Sequence, residues 1–154
     1  MAIVNVDSLP QVALGFMNED HREEARLLNE LGDALSAFRR DRGDDAAVLE
    51  RLAAFEAHTR AHFVREEAAM RRAGFAPYPV HKAEHDHVLA ELEIETRRFR
   101  ERGEAERLWA YVSQAIPAWL VGHIESMDYV TARFLAFCDA GAAVRAAAGA
   151  RARS

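Results

Sequence analysis

The sequence is poor in cysteine, lysine and proline, and each scarcity excludes something. Its one cysteine among 154 residues, Cys138, leaves no partner for an internal disulfide and rules out a zinc site built from several thiolates. Lysine occurs once, at Lys82, beside nineteen arginines, and 25 acidic residues outweigh 20 basic ones for a formal net charge of −5. That balance lacks the basic excess of a nucleic-acid footprint and the cationic cluster of a membrane-surface anchor, so neither partner is expected. No stretch approaches the roughly 20 consecutive apolar residues of a membrane span. The opening MAIVNVDSLP has no basic stretch ahead of an apolar one, as a secretory signal would, so a cytoplasmic protein is expected. What remains is globular composition, with half the residues hydrophobic and 29% charged. Against that background the chain carries seven histidines.

With only four prolines and eight glycines, the breakers leave four long stretches of helical periodicity. Residues 1–17, with Pro10 and Gly15, read as an N-terminal arm. A first helix is predicted from about Glu19 to Phe38, with Leu27, Leu28, Leu31, Leu35 and Phe38 on one stripe. The charged connection Arg39–Asp45 contains Gly43 and ends in Asp45, a good N-cap. A second helix follows from about Ala46 to Arg72, carrying Leu49, Leu52, Phe55 and Met70 and closed by Gly74. Pro79 suits the first position of a third helix reaching about Arg100, with Val88, Leu92 and Phe99 inward. The fourth is predicted from about Ala105 to Cys138, kinked at Pro117, with Leu108, Val112, Trp119, Met127 and Phe134 at helical spacing. The Ala-rich segment 139–154 reads as a low-complexity, frayed tail. The predicted fold is all-α: an up-down-up-down antiparallel four-helix bundle over 18–138, preceded by the arm and followed by the tail.

Every predicted helix carries a histidine. His21 lies on the first; His58, His62 and Glu66 form one column on the second; His81 and His85 stand four apart on the third; His123 and Asp128 stand five apart on the fourth. Residues four apart share a helix face, so each pair can serve one wall of a bundle. His123 and Asp128, in contrast, would lie about 140° apart on a regular α-helix. A lone histidine on an apolar face is usually an ordinary core residue. Five histidines and two carboxylates converging on one core are another matter, because buried polar groups need partners. A metal centre satisfies them together. Imidazole and carboxylate without thiolate suit iron, manganese or zinc, and seven donors exceed the usual demand of one ion.

The order of these residues resembles the bacteriohemerythrin branch of the hemerythrin family: a histidine, then His-x3-Glu, His-x3-His and His-x4-Asp. The neighbours resemble it too, with Phe63 after His62, Glu67 and Met70 after Glu66, Asn29 and Leu31 after His21, and Trp119 one turn before His123-Ile124. The resemblance covers about residues 14–135. It implies a four-helix bundle around two iron ions that bind dioxygen reversibly. His81, His85 and His123 would hold one iron. His21 and His62 would hold the other, which keeps an open position. Glu66 and Asp128 would bridge the pair with a solvent-derived oxo or hydroxo group. Phe63, Trp119, Ile124 and Met127 are candidates for the wall of a dry pocket beside that position.

The sequence departs from the family pattern at several points. Glu24 stands one turn after His21, where leucine is usual, and His58 one turn before His62, where tyrosine is usual. Both place an ionisable group a turn from a ligand of the open iron, as outer partners of the ligands or, for Glu24, as an added ligand. The family's Tyr-Pro between the second and third helices falls on Phe75-Ala76, with Tyr78-Pro79 three residues later, and the first connection is longer. His87 is turned away from His85 and is expected at the surface. An oxygen carrier, store or supplier is the first reading. A sensor of dioxygen, nitric oxide or redox state acting through a protein partner is the second. A di-iron enzyme turning over peroxide or nitric oxide with Glu24 and His58 is the third. The length leaves no room for a fused signalling domain, which favours the carrier.

Overall fold

The molecule, seen as a computed structural model, is described over residues 2–41 and 45–151. Helix α1 is Gly15–Asp41, α2 is Asp45–Ala73 and α3 is Tyr78–Arg102. The fourth rod, α4 (105–151), is continuous but not uniform. Its segments Ala105–Ala110, Ile116–His123 and Tyr129–Arg151 are α-helical, and Tyr111–Ala115 and Ile124–Asp128 are π-turns. Among the described residues there is no strand, and no helix is long and apolar enough to cross a membrane.

The helix ends follow the breakers. Gly74, at φ 67°, ends α2: its N–H donates to the Arg71 carbonyl and that of Phe75 to the Met70 carbonyl, pairing two of the last carbonyls of the helix. Gly103, at φ 65°, ends α3 with its N–H on the Phe99 carbonyl. Asp45 is the first residue of α2 and not its cap, while Gly43 of the predicted connection lies outside the described residues. Short turns make consecutive helices antiparallel. The early part of α1, the late part of α2 and the start of α3 therefore fall at one level of the bundle. The opposite half is apolar, filled by Leu31, Leu35, Leu52, Leu92, Leu108 and Val112 with Phe38 edge-on to Phe99.

Two expectations about α4 change. At Pro117 the predicted irregularity takes the form of a π-turn one step earlier: the Ile116 N–H reaches back five residues to the Tyr111 carbonyl, and Ser113 Oγ donates to the Trp109 carbonyl at 2.6 Å. The helix thus absorbs a proline that has no N–H to offer. The segment predicted as a frayed tail is a helix as far as Arg151, with 152–154 outside the described residues. Alanine, the strongest helix former, accounts for this, since the extension is almost wholly exposed and has little packing to hold it.

The arm is clasped to α1 by two asparagines. Asn29 Oδ1 accepts from the N–H groups of Ile3 (2.7 Å) and Val4 (2.9 Å), and its Nδ2 donates to the Val4 carbonyl at 2.8 Å. Asn18 makes the same reciprocal pair with Val12, both bonds at 2.9 Å. A side-chain amide carries a donor and an acceptor, as a peptide does, so each asparagine stands in for a neighbouring strand. The clasp seats Val4, Leu9 and Val12 in the core, and Ile3 lies over Gly32, where a Cβ would collide with its Cδ1. Replacing Asn29 with alanine removes three hydrogen bonds to half-buried backbone. We expect a loss of about 1–3 kcal/mol in denaturant unfolding, with faster amide exchange at Ile3 and Val4.

Candidate metal centre

The level shared by the four helices is polar at its heart. His21, His62, Glu66, His81, His85, His123 and Asp128 are all buried there. On α2 and α3 regular helix geometry is enough, because His62 and Glu66, like His81 and His85, are one turn apart. The fourth wall needs the second π-turn. Over Ile124–Asp128 the Tyr129 N–H returns to the Ile124 carbonyl, so residues five apart become neighbours and Asp128 comes round to the side of His123. Asp128 Oδ1 then lies 3.3 Å from His123 Nε2. Ser126 Oγ donates to the Gly122 carbonyl at 2.6 Å, covering an acceptor one turn back.

The two carboxylates face two sets of histidines. Glu66 Oε1 lies 2.9 Å from His62 Nε2 and 3.9 Å from His21 Nε2, while its Oε2 lies 3.5 Å from His85 Nε2 and 3.8 Å from His81 Nε2. Asp128 divides the same way, with Oδ2 3.0 Å from His21 Nε2 and Oδ1 3.2 Å from His81 Nε2. The donor atoms of Glu66, His81, His85, His123 and Asp128 gather in one group, and those of His21, His62 and Glu66 in a second. Glu66 belongs to both.

As protein alone this cluster is poorly satisfied. Both ring nitrogens of His21, Glu66 Oε2, His85 Nε2 and both oxygens of Asp128 are buried without a properly aligned hydrogen bond. The Nε2 atoms of His81 and His123 are only 3.0 Å apart. Two imidazole nitrogens meet this closely when a proton or a cation lies between them. Donors bound to one ion at about 2.1 Å in neighbouring octahedral positions stand about 3 Å apart, which is the spacing found here. Nitrogen and oxygen donors without sulfur suit iron, and the cluster can hold two such ions.

The charges are arranged for cations. Burial would raise the Asp128 pKa, but His123, His21 and His81 around it hold the carboxyl well below its ordinary range. Burial, together with the neighbouring His81 and His123, pushes His85 down to about 2, leaving a neutral imidazole ready to donate a lone pair. His62 is opposed by burial yet raised well above the usual histidine value by Glu66 and Glu24.

Outside this set stand residues that hold the rings. Glu24 is buried and its Oε2 lies 2.7 Å from His62 Nδ1. Thr131 Oγ1 lies 2.9 Å from His81 Nδ1, and Glu67 Oε1 lies 3.3 Å from His85 Nδ1. His58 is half-buried and donates from Nε2 to the Asp20 carbonyl at 3.0 Å, tying α2 to α1. The sequence singles out Glu24 and His58 but assigns no such role to Thr131 or Glu67. Thr131 lies one turn beyond Asp128, and that spacing on the same helix was the one available signal. His87 is exposed beside Glu91, as expected.

Of the proposed wall residues, Phe63 stacks on His85 with ring centroids 3.8 Å apart, and Trp119 stacks on His123 at 4.6 Å. Phe63 and Trp119 meet edge-on at 6.0 Å, and Ile124 is fully buried. Met127 sits farther out. It is half-buried and lines a shallow apolar groove of about 270 Å³ with Phe75, Val80, His81 and Thr131.

The chain is similar to known proteins of one family. Residues 12–135 match the hemerythrin HHE cation binding domain. A bacteriohemerythrin of Aquifex aeolicus (strain VF5) is 30% identical over 133 residues, which is 86% of this chain and 98% of that protein. One of Ralstonia nicotianae (strain ATCC BAA-1114 / GMI1000) is 35% identical over 117 residues, 76% of this chain and 77% of its own length. Crystal structures of hemerythrin with a leucine replaced by tyrosine or by alanine superpose with a TM-score of 0.75 at 26% identity, covering 88% of this chain and 98% of theirs. Fold, buried donor set and similarity agree: the chain belongs to the hemerythrin HHE cation binding domain family.

Proposed function

We propose that this protein binds dioxygen reversibly at a pair of iron ions, as a carrier, store or local supplier. The observation that carries the reading is the division of the two buried carboxylates. Glu66 and Asp128 each turn one oxygen toward His21 or His62 and the other toward the set of His81, His85 and His123. In this assignment His81, His85 and His123 would hold one iron and His21 and His62 the other, with Glu66 and Asp128 serving both. The bound pair would supply one electron from each ion to dioxygen and recover both on its release.

The residues support a place for the ligand on the side with fewer protein donors. Three histidines would serve one ion and two the other, so the second would have fewer protein donors. On the three-histidine side, neutral His85, stacked under Phe63, and His123, stacked under Trp119, are held in orientation by those rings. Both Glu24 oxygens are engaged, by Thr59 and His62, and His58 is engaged by the Asp20 carbonyl. Both residues are turned to protein partners, which supports carriage over turnover of peroxide or nitric oxide.

Two measurements test this reading. The iron-loaded chain, reduced without air and then exposed to it, should hold two irons per chain and give a coloured species that disappears and returns through repeated deoxygenation. One-way conversion to an oxidised form, or a stoichiometry of one, would falsify the proposal. Removal of metal should also weaken the fold, since it leaves the buried donors unpaired. With free metal 1,000-fold above its dissociation constant, binding contributes about 4 kcal/mol. A strong chelator is therefore expected to lower the thermal midpoint, and an unchanged midpoint would count against a metal held by the buried set.

A further inference from the structure

Glu24 is the one fully buried acidic residue on α1, and it is not among the metal donors just assigned. Its Oε1 accepts a hydrogen bond from Thr59 Oγ1 at 3.2 Å, and its Oε2 lies 2.7 Å from His62 Nδ1. On the other side of the same ring, His62 Nε2 lies 2.9 Å from Glu66 Oε1. The imidazole is thus gripped at both nitrogens by carboxylates from different helices. The ring of His62 stands between Glu24 and Glu66, so Glu24 acts through the ring.

The other rings are held differently. His81 has a neutral threonine hydroxyl at Nδ1, and His85 a partly exposed glutamate at the longer distance of 3.3 Å. His21 Nδ1 is buried without a hydrogen bond. Among the described residues, His62 is the ring with a fully buried carboxylate at Nδ1, and it belongs to the two-histidine side. Burying a carboxylate is costly, and one hydroxyl and one ring N–H satisfy only part of its acceptor capacity. A cation on the far side of the imidazole offsets that cost through the ring.

We propose that Glu24 is a positioning residue for the iron on the His21–His62 side, building on the assignment above. A carboxylate at Nδ1 fixes the tautomer, with the proton on Nδ1 and the Nε2 lone pair directed at the ion. It also raises the donor strength of the ring. Thr59 fixes Glu24 in turn. The added negative charge favours the more highly charged ion, so Glu24 both strengthens the hold on this iron and stabilises its oxidised state. The chain accordingly keeps its reduced state less readily than a relative with an apolar side chain at this position.

The test compares the full chain with E24Q, which keeps the shape and an acceptor without the charge, and with E24L, which removes both. Chelator competition for Fe(II) and the reduction potential of the loaded centre are read together. One of the two irons should be released 10–100-fold more readily in E24L and less so in E24Q, the other unchanged. In both variants the ratio of oxidised to reduced form at fixed potential should fall about tenfold, or 59 mV for a one-electron step. Release and potential within twofold of the parent in E24Q, with two irons bound, overturn the role of Glu24 and leave the function intact. Failure of the parent chain to bind two irons overturns both. Should E24L not fold, E24Q and E24D decide the matter. E24D, which keeps the charge, should lie nearer the parent in potential than E24Q does, and the reverse order overturns the proposal.

Discussion

Everything in this molecule is arranged around buried charge that has no sufficient protein partner. Glu66 and Asp128 lie at the centre of a helical bundle, and His81 and His123 bring their Nε2 atoms as close to each other as to the Asp128 carboxylate. Inside a low-dielectric core such a group is unfavourable by itself and favourable around cations. The site therefore behaves as half of a structure whose other half is metal. The bundle supplies the complement: an apolar half that folds by burial of leucine, valine and phenylalanine, against which the polar level is held in register.

Regular helix geometry explains three walls of the site, and a local exception explains the fourth. His62 with Glu66 and His81 with His85 need nothing beyond the one-turn rule. His123 and Asp128 are out of phase on an α-helix, and the π-turn at Ile124–Asp128 removes the mismatch by adding a residue to one turn. The irregularity is costly in helix hydrogen bonding, and Ser126 offsets part of it by covering the Gly122 carbonyl. Placing a strained turn where a ligand must be re-aimed is a recurrent use of π-geometry.

A second layer of contacts converts flexible side chains into fixed donors. Glu24, Thr131 and Glu67 hold the outer nitrogens of His62, His81 and His85, and Phe63 and Trp119 clamp ring faces. Apart from Trp119, which stacks on His123 of its own helix, these contacts come from helices other than the one bearing the held residue, so they couple ligand orientation to bundle packing. The asparagine clasp does the same for the arm, anchoring Val4, Leu9 and Val12 on the helix that carries His21 and Glu24.

The sequence alone determined the four helices, their order and the residues that meet at the centre, because periodicity, breakers and one-turn spacing are local properties. Gly74 and Gly103 end helices in the left-handed conformation that their lack of a side chain permits, and Leu28, Leu31, Leu52 and Leu92 are buried where their stripes placed them. Local properties could not show how α4 behaves. The stretch predicted to fray is helical to Arg151, and the five-residue step to Asp128 works only through a π-turn that no propensity announces. Nor could they show that Glu24 turns to His62 and not to solvent, that His58 bonds the Asp20 carbonyl, or that Thr131 reaches His81. Those are distances between helices, and only the packing of four rods against one another sets them.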